Sequence, residues 1–289
     1  MCLAIQWALQ VSRKRIVYHE HDSLDDNNDC KTRLIVRARN YVAKRAEICV
    51  LPNTKRANYF HVQTKCLDPP LVVWNCPSKQ ELDFQEKNRT RDRKHSQEHL
   101  RVVYCGSLNE TRVPFTYIHS LVLEPRIELT LIGYETNGSR GFSEQFQKIA
   151  RELYVDGRVK IRGQIPRHEV FQSLRDADVA IATLPLGSAD MNFIGMLGAS
   201  NKSFDGLSCG IPMLISDLSD WVETFVGHGV AKACDPSDAS SIASALGWFA
   251  DNPQETKEMG RKGRSMIDEC WNYEYQFASV LKRMESVCR

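Results

Sequence analysis

Short apolar runs alternate with amphipathic stretches from Leu100 to Leu218, and this alternation constrains the fold more than any other feature of the chain. LRVVYCGSL, RIELTLIGYE, VKIRGQIP, DVAIATLPL and PMLISDL read as strands. FTYIHSLVLEP, SEQFQKIARELY, EVFQSLRDA and NKSFDGLSCG, which lie between them, read as helices. Strands alternating with helices at this spacing form βαβ units, and therefore a parallel sheet with helices on both faces. Two more helical patterns follow, ASSIASALGWFAD and QETKEMGRKGRSMIDEC. In such sheets ligands bind beyond the carboxyl ends of the strands. The residues at those exits are Gly106-Ser107, Gly133-Tyr134, Gly163-Gln164-Ile165, Pro185-Leu186-Gly187 and Ser216-Asp217. Glycine at an exit permits a tight turn and close approach of the backbone to a ligand.

The first part of the chain repeats the alternation less regularly. IQWALQVSRK suggests a helix, RIVYH a short strand, and HDSLDDNNDCK a polar loop. TRLIVRARNYVAKRA has apolar or small residues at helical spacing, EICVLP is a strand, and Asn53 is placed to cap the next helix. LVVWNCP reads as a further strand. Residues 78–99 are highly charged and poor in apolar residues, which marks a boundary. With 289 residues the chain is long enough for two α/β domains, each of roughly 100–150 residues.

Composition excludes several classes. A net charge of +2 carries no field on the scale of nucleic-acid binding. No apolar run approaches the roughly 20 residues needed to span a bilayer, and the start lacks the features of a signal peptide. The ten cysteines are scattered without a CxxC, so they read as buried free thiols in a reducing compartment. The helix at 32–46 carries Arg33, Arg37, Arg39, Lys44 and Arg45. That basic face suits solvent better than an anionic membrane, although peripheral membrane contact stays open.

Two clusters carry chemistry. ASNKSFDGLSCGIPMLIS sets Asn201, Lys202 and Asp205 within five residues, just ahead of a buried strand. A carboxylate can accept from a sugar diol, while an ammonium and a helix amino end suit phosphate. YHEHDS places His19 and His21 at a strand exit. A His-x-His pair could begin a metal site, but no third ligand is obvious, and no metal is expected.

The order VVYCGSLNETR, LTLIGY, VKIRGQIPRHEVFQSLRDADVAIATLP, NKSFDGLSCGIPMLIS and VAKACDPSDASSIASALGWFADNP resembles the carboxyl-terminal domain of retaining glycosyltransferases of family four, the group 1 type. The resemblance covers residues 100–280 well and residues 1–77 loosely. It implies the GT-B architecture, an α/β fold with two Rossmann-like domains. The divisions it implies are a partial amino-terminal, acceptor-side domain at 1–77, a charged linker at 78–99, a carboxyl-terminal nucleotide-sugar domain at 100–270, and a terminal helix at 271–289 able to pack back on the first domain. The start of the amino-terminal domain has no counterpart.

The resemblance also implies roles. Asp205 matches the family's ribose-binding carboxylate, shortened by one methylene, and its partner acid is replaced by Leu197. Asn201 and Lys202 match members that read Asn-Lys ahead of Phe-Glu, which turns Lys202 toward the diphosphate. Arg112 stands where a diphosphate-binding lysine is usual, and the arginine expected directly after Gly106 is Ser107. Gly163 and Ile165 form the turn that packs on the base. His19 or His21 meets the donor sugar. The implied activity is transfer from a UDP- or GDP-sugar to a hydroxyl on a saccharide or lipid-linked acceptor, with retention, without metal or cofactor, in polysaccharide biosynthesis. The implied location is cytoplasmic. The alternative is an impaired nucleotide-sugar-binding or scaffold protein derived from such an enzyme.

Overall fold

A computed structural model describes residues 15–24, 30–87 and 99–287. The helix read at 5–14, part of the loop after His21 and half of the charged linker lie outside these residues. In chain order the elements are β1 (Val17–His19), α1 (Cys30–Arg45), β2 (Ile48–Leu51), α2 (Thr54–Thr64), β3 (Leu71–Val72), α3 (Lys79–Lys87), β4 (Leu100–Leu108), α4 (Thr116–Leu123), β5 (Ile127–Glu135) and α5 (Phe142–Glu152). They continue with β6 (Val159–Arg162), α6 (Arg167–Arg175), β7 (Val179–Ala182), α7 (Met191–Ile194), α8 (Asn201–Ser208), β8 (Met213–Ser216), α9 (Ser219–Trp221), β9 (Ala231–Cys234), α10 (Ala239–Asp251), α11 (Pro253–Glu269) and α12 (Tyr273–Val287). The chain divides into two compact units, 1–76 with 188–200 and 271–289, and 77–187 with 201–270.

The first unit holds a parallel sheet in the order β1-β2-β3. Its central strand, ICVL, is buried at every position, as expected for a parallel strand covered on both faces. Cys49 and Leu51 pack with Ala43 and Ala46 at the end of α1 and with Ala57 and Phe60 of α2. Ile48 and Val50 face the other way, onto Val280, Tyr273 and Phe277 of α12. Asn53 caps α2 by accepting from the Arg56 backbone N–H at 2.8 Å, the role its position predicts. LVVWNCP pairs only through Leu71 and Val72. The backbone then leaves the sheet: the Asn75 N–H donates to the Gly198 carbonyl at 2.6 Å.

That contact explains why 188–200 lies in this unit, inside a stretch read from sequence as part of one domain at 100–270. The Asn53 side chain donates to the Leu197 carbonyl at 2.9 Å, and Arg56 donates to the Asn192 carbonyl at 2.8 Å. Gly198 has φ of +75°, and a β-carbon there would lie 2.4 Å from the Trp74 ring.

Arg39 departs from the basic face read along α1. Its side chain is 1% exposed. It grips Glu20 through Nε at 2.7 Å and Nη2 at 2.6 Å, and it lies over the Phe60 ring at 4.6 Å. The Tyr18 hydroxyl also donates to Glu20, at 2.6 Å. A burying helix can turn one arginine inward only if its charge is paired, and Glu20, just past β1, supplies the pair.

The second unit carries six parallel strands in the order β6-β5-β4-β7-β8-β9. The chain moves outward from β4 to β6, then returns to set β7 beside β4. Strand order therefore reverses between β4 and β7, which is where open α/β sheets form their ligand crevice. Alternate residues fill two layers. Val102, Tyr104, Leu129, Leu131, Val179 and Ile181 pack on α4, α5 and α10. Val103, Ile132 and Ala180 pack on Phe171 and Leu174 of α6 and on Ile211. At the amino ends, Asp178 accepts from the Arg101 backbone N–H at 3.0 Å and from its guanidinium at 3.1 and 3.2 Å, which clamps β4 to β7.

The stretch 78–99 opens as a helix. The Ser78 hydroxyl accepts from the Glu81 N–H at 3.1 Å, and Leu82 is buried. Lys79 and Asp83 of this helix are exposed. Cys49, Cys66, Cys76, Cys105, Cys209, Cys234 and Cys270 are all free thiols. Among the described residues no helix is long and apolar enough to cross a membrane.

Removing one member of the Glu20–Arg39 pair leaves a buried charge uncompensated. Glu20→Ala is therefore expected to lower stability by about 3–5 kcal/mol in urea unfolding. Glu20→Leu combined with Arg39→Met is expected to recover most of that loss. Equal losses in the single and double variants would contradict a charge-based cause.

Candidate functional site

Open α/β sheets bind ligands at the reversal of strand order, and here Gly106 lies at that point, near the carboxyl end of β4. Gly106 pairs in register with Gly133 of β5. Both have strongly positive φ, +151° and +152°, and a β-carbon on Gly133 would fall 1.6 Å from the Gly106 carbonyl oxygen. Two side chains cannot occupy that crossing, so the strand exit stays bare. Into the bare space runs Lys202, from the first turn of α8. A β-carbon on Gly106 would lie 2.2 Å from Lys202 Cε and 3.1 Å from Nζ. The sequence therefore aims an ammonium across a glycine at the switch point.

The electrostatics of that amine are unusual. Burial first, and then the charge of Arg112, lower the Lys202 pKa to about 8, while Asp205 and Cys105 act in the opposite sense. Arg112 sits in the turn after β4, where the Asn109 side-chain oxygen accepts from its backbone N–H at 3.0 Å. The Arg112 charge thus disfavours the charge on Lys202. Such an arrangement is relieved by an anion.

Asp205 lies one turn farther along α8 and is buried. Burial pushes its carboxyl above the ordinary carboxylate range, and the bond and charge of Arg167 pull it back. Arg167 donates through Nη1 to Oδ2 at 3.0 Å and through Nη2 to Oδ1 at 2.9 Å. The same guanidinium reaches Glu81 at 3.0 Å through Nε. Arg167 and Glu81 escaped the sequence reading. Glu81 lies 86 positions from Arg167, in a segment read as a linker, and no local pattern ties them together. The only sequence sign of Arg167 is its place at the start of α6, directly after Pro166.

The other expected residues differ in exposure and surroundings. Asn201 begins α8 and is exposed. Gly163 is open: a β-carbon there would meet no other atom within 4 Å. Ile165 is partly buried against the apolar cluster that includes Val103, Phe171 and Leu174. His19 and His21 belong to the first unit, where their rings stack with centroids 4.4 Å apart. Burial, then the charge of His21, lower the His19 pKa, and His19 Nε2 is buried without a hydrogen-bond partner. The His21 carbonyl accepts from Arg56. Among the described residues no group of three His, Cys, Asp or Glu side chains could hold a metal ion.

Comparison with known proteins adds the following. A family described as glycosyl transferase-like matches residues 117–282. No curated protein matches the chain. Solved structures do. HepE of Anabaena in complex with UDP is 15% identical, with a TM-score of 0.72 over 99% of this chain and 76% of its own. A glycosyltransferase from Rickettsia africae is 11% identical, with a TM-score of 0.71 over 99% and 74%. Sucrose-phosphate synthase from Thermosynechococcus elongatus is 14% identical, with a TM-score of 0.65 over 98% and 71%. At these identities the likeness concerns the fold.

The amine geometry is open to direct measurement. The Lys202 amine is expected to titrate near pH 8 in NMR of labelled lysine, and its midpoint is expected to rise in Arg112→Gln, because a repelling cation is removed. An ordinary lysine midpoint in the unaltered protein would contradict the burial described above.

Proposed function

Because this chain belongs to the glycosyl transferase-like family, of the group 1 type with the GT-B fold, we propose that it transfers a sugar from a nucleoside-diphosphate donor to a hydroxyl acceptor with retention of configuration. The observation that carries this reading is the Lys202 ammonium laid across Gly106 at the reversal of strand order, with Arg112 beside it. HepE, the similar structure, was solved with UDP and with UDP-glucose.

In this reading the diphosphate lies over the bare exit of β4. Lys202 and Arg112 compensate the charge that grows on the leaving diphosphate, as fixed cations do in a water-poor cleft. Asp205 accepts from the ribose hydroxyls, and the turn at Gly163 and Ile165 supports the base. Protein cations would then do the work that a metal does in other sugar transferases, and the acceptor is a saccharide or a lipid-linked saccharide. Cytoplasmic polysaccharide synthesis, at or near an anionic membrane, suits such an acceptor.

A second reading, binding without turnover, has its own support. Leu197 stands in place of the partner acid, and Ser107 in place of an expected arginine. Without that acid, one hold on a donor-sugar hydroxyl is missing.

Calorimetry with UDP-glucose and GDP-mannose tests the reading. The unaltered protein is expected to bind at least one, and Asp205→Ala to bind it roughly 10- to 100-fold more weakly, the scale of losing hydrogen bonds to a charged group. Binding is expected to hold below about pH 8 and to weaken above it as Lys202 loses its proton. No binding to either donor, or equal binding by the variant, would refute the site assignment. Binding with no donor hydrolysis and no transfer to any acceptor would favour the second reading.

A further inference from the structure

Asp205 does not stand alone at the crevice, and its neighbour is one the sequence did not announce. The Arg167 guanidinium meets it fork to fork, one N–H to each carboxylate oxygen, at 3.0 and 2.9 Å. Such pairing fixes the plane of the carboxylate as well as its charge. It occupies one lone pair on each oxygen and leaves the other free to accept. Arg167 is itself held on two further sides. Its Nε donates to Glu81 at 3.0 Å, and its guanidinium lies over the Phe171 ring at 4.6 Å, one turn along the same helix.

We propose that Arg167 is the positioning residue for Asp205, its guanidinium keeping the buried carboxylate charged and turned so that its free lone pairs meet the ribose hydroxyls of a bound donor. This rests on the reading that Asp205 holds ribose. Arg167 does not itself touch the reacting atoms; it acts through the acid.

The surroundings make Arg167 the decisive neighbour. Around Asp205 are Glu81 from α3, Lys202 on its own helix, Cys105 from β4 and Cys209 just past the helix end. Arg264 of α11 is engaged with the Ser208 carbonyl at 2.7 Å. Beneath α8, β7 presents Ala180 to Gly206, and β8 offers only Met213, Leu214, Ile215 and Ser216. Glu81 disfavours the Asp205 charge, and Lys202 has its own charge discouraged by burial. Without Arg167 a buried carboxylate facing a second acid would hold its proton to higher pH than in the unaltered chain. The protonated acid would be a poorer acceptor for a diol. Affinity would then be present above the raised pKa and lost as pH falls through it.

The experiment measures calorimetric affinity of the full chain for UDP-glucose and GDP-mannose between pH 6 and 7.5, a range below the Lys202 titration. The proteins are the unaltered chain, Arg167→Leu, Arg167→Lys and Asp205→Asn, each checked for folding by circular dichroism. The unaltered chain is expected to show the shallowest profile of the set that keeps Asp205. Arg167→Leu is expected to bind more weakly and to lose up to ~10-fold further per pH unit on acidification. Arg167→Lys restores part of the affinity and flattens the profile. Asp205→Asn is weak at every pH, and adding Arg167→Leu to it costs nothing more. A profile in Arg167→Leu no steeper than in the unaltered chain, weakened or not, overturns the positioning role, as does failure of Arg167→Lys to improve on leucine. If Asp205→Asn binds as the unaltered chain does, or if the unaltered chain binds neither donor, the ribose reading itself fails and the proposal falls with it. If Asp205→Asn weakens binding while Arg167→Leu matches the unaltered chain, the ribose reading stands and only the role of Arg167 is lost.

Discussion

A lysine stem fills the space over Gly106 that a β-carbon would need, and the second unit is organised around that substitution of a distant side chain for a local one. The bare exit depends on the pairing of Gly106 with Gly133, since the β5 glycine must also lack a side chain for the two strand ends to cross so closely. The clamp between Arg101 and Asp178 holds β4 against β7 at the opposite end. The reversal of strand order then places α8 where its first turn can reach back over β4. Topology brings the helix to the crevice, and the two glycines leave the room.

The first unit handles charge by enclosure. Its sheet has three short strands, and β3 contributes two paired residues, so backbone pairing alone gives little independent stability. Helices cover both faces of β2, and the interior accepts one complete ion pair, Arg39 with Glu20, closed by Tyr18 and Phe60. A pair of this kind contributes less through its net energy than through the cost of breaking it. It ties the exit of β1 to the middle of α1, next to the histidines at 19 and 21. The segment 188–200 adds a second tie, through backbone carbonyls that accept from Asn53 and Arg56.

Much of this was readable from residues alone. Strands β4 to β8 and helices α4, α5, α6 and α8 announce themselves through apolar runs and amphipathic spacing, because each is regular enough for its burial pattern to register. Asn53 announces a helix start through its own chemistry. Where the reading was incomplete, the cause was long range. Arg39 looks like any other cation on a basic helix until the partner 19 positions earlier is folded beside it. The 188–200 excursion is held mainly by backbone carbonyls, which no side-chain pattern encodes. The Asp205 carboxylate could be found from ASNKSFDGLSCG, whereas the arginine that grips it lies 38 positions away on a helix whose pattern speaks only of its buried face.

The distribution of charge across the crevice follows from that grip. Lys202 and Asp205 are near neighbours on one helix, and left to themselves they could neutralise one another. Arg167 instead takes both oxygens of the carboxylate, while Lys202 turns toward Gly106 and feels Arg112 as a repelling charge. The acid is thereby paired with a cation on α6, which Glu81 shares. On the proposed function, the carboxylate would take the diol of a donor and Lys202 its anionic end. The internal pairing of Asp205 with Arg167 is what keeps those two demands apart, since an acid shared with Lys202 would weaken both.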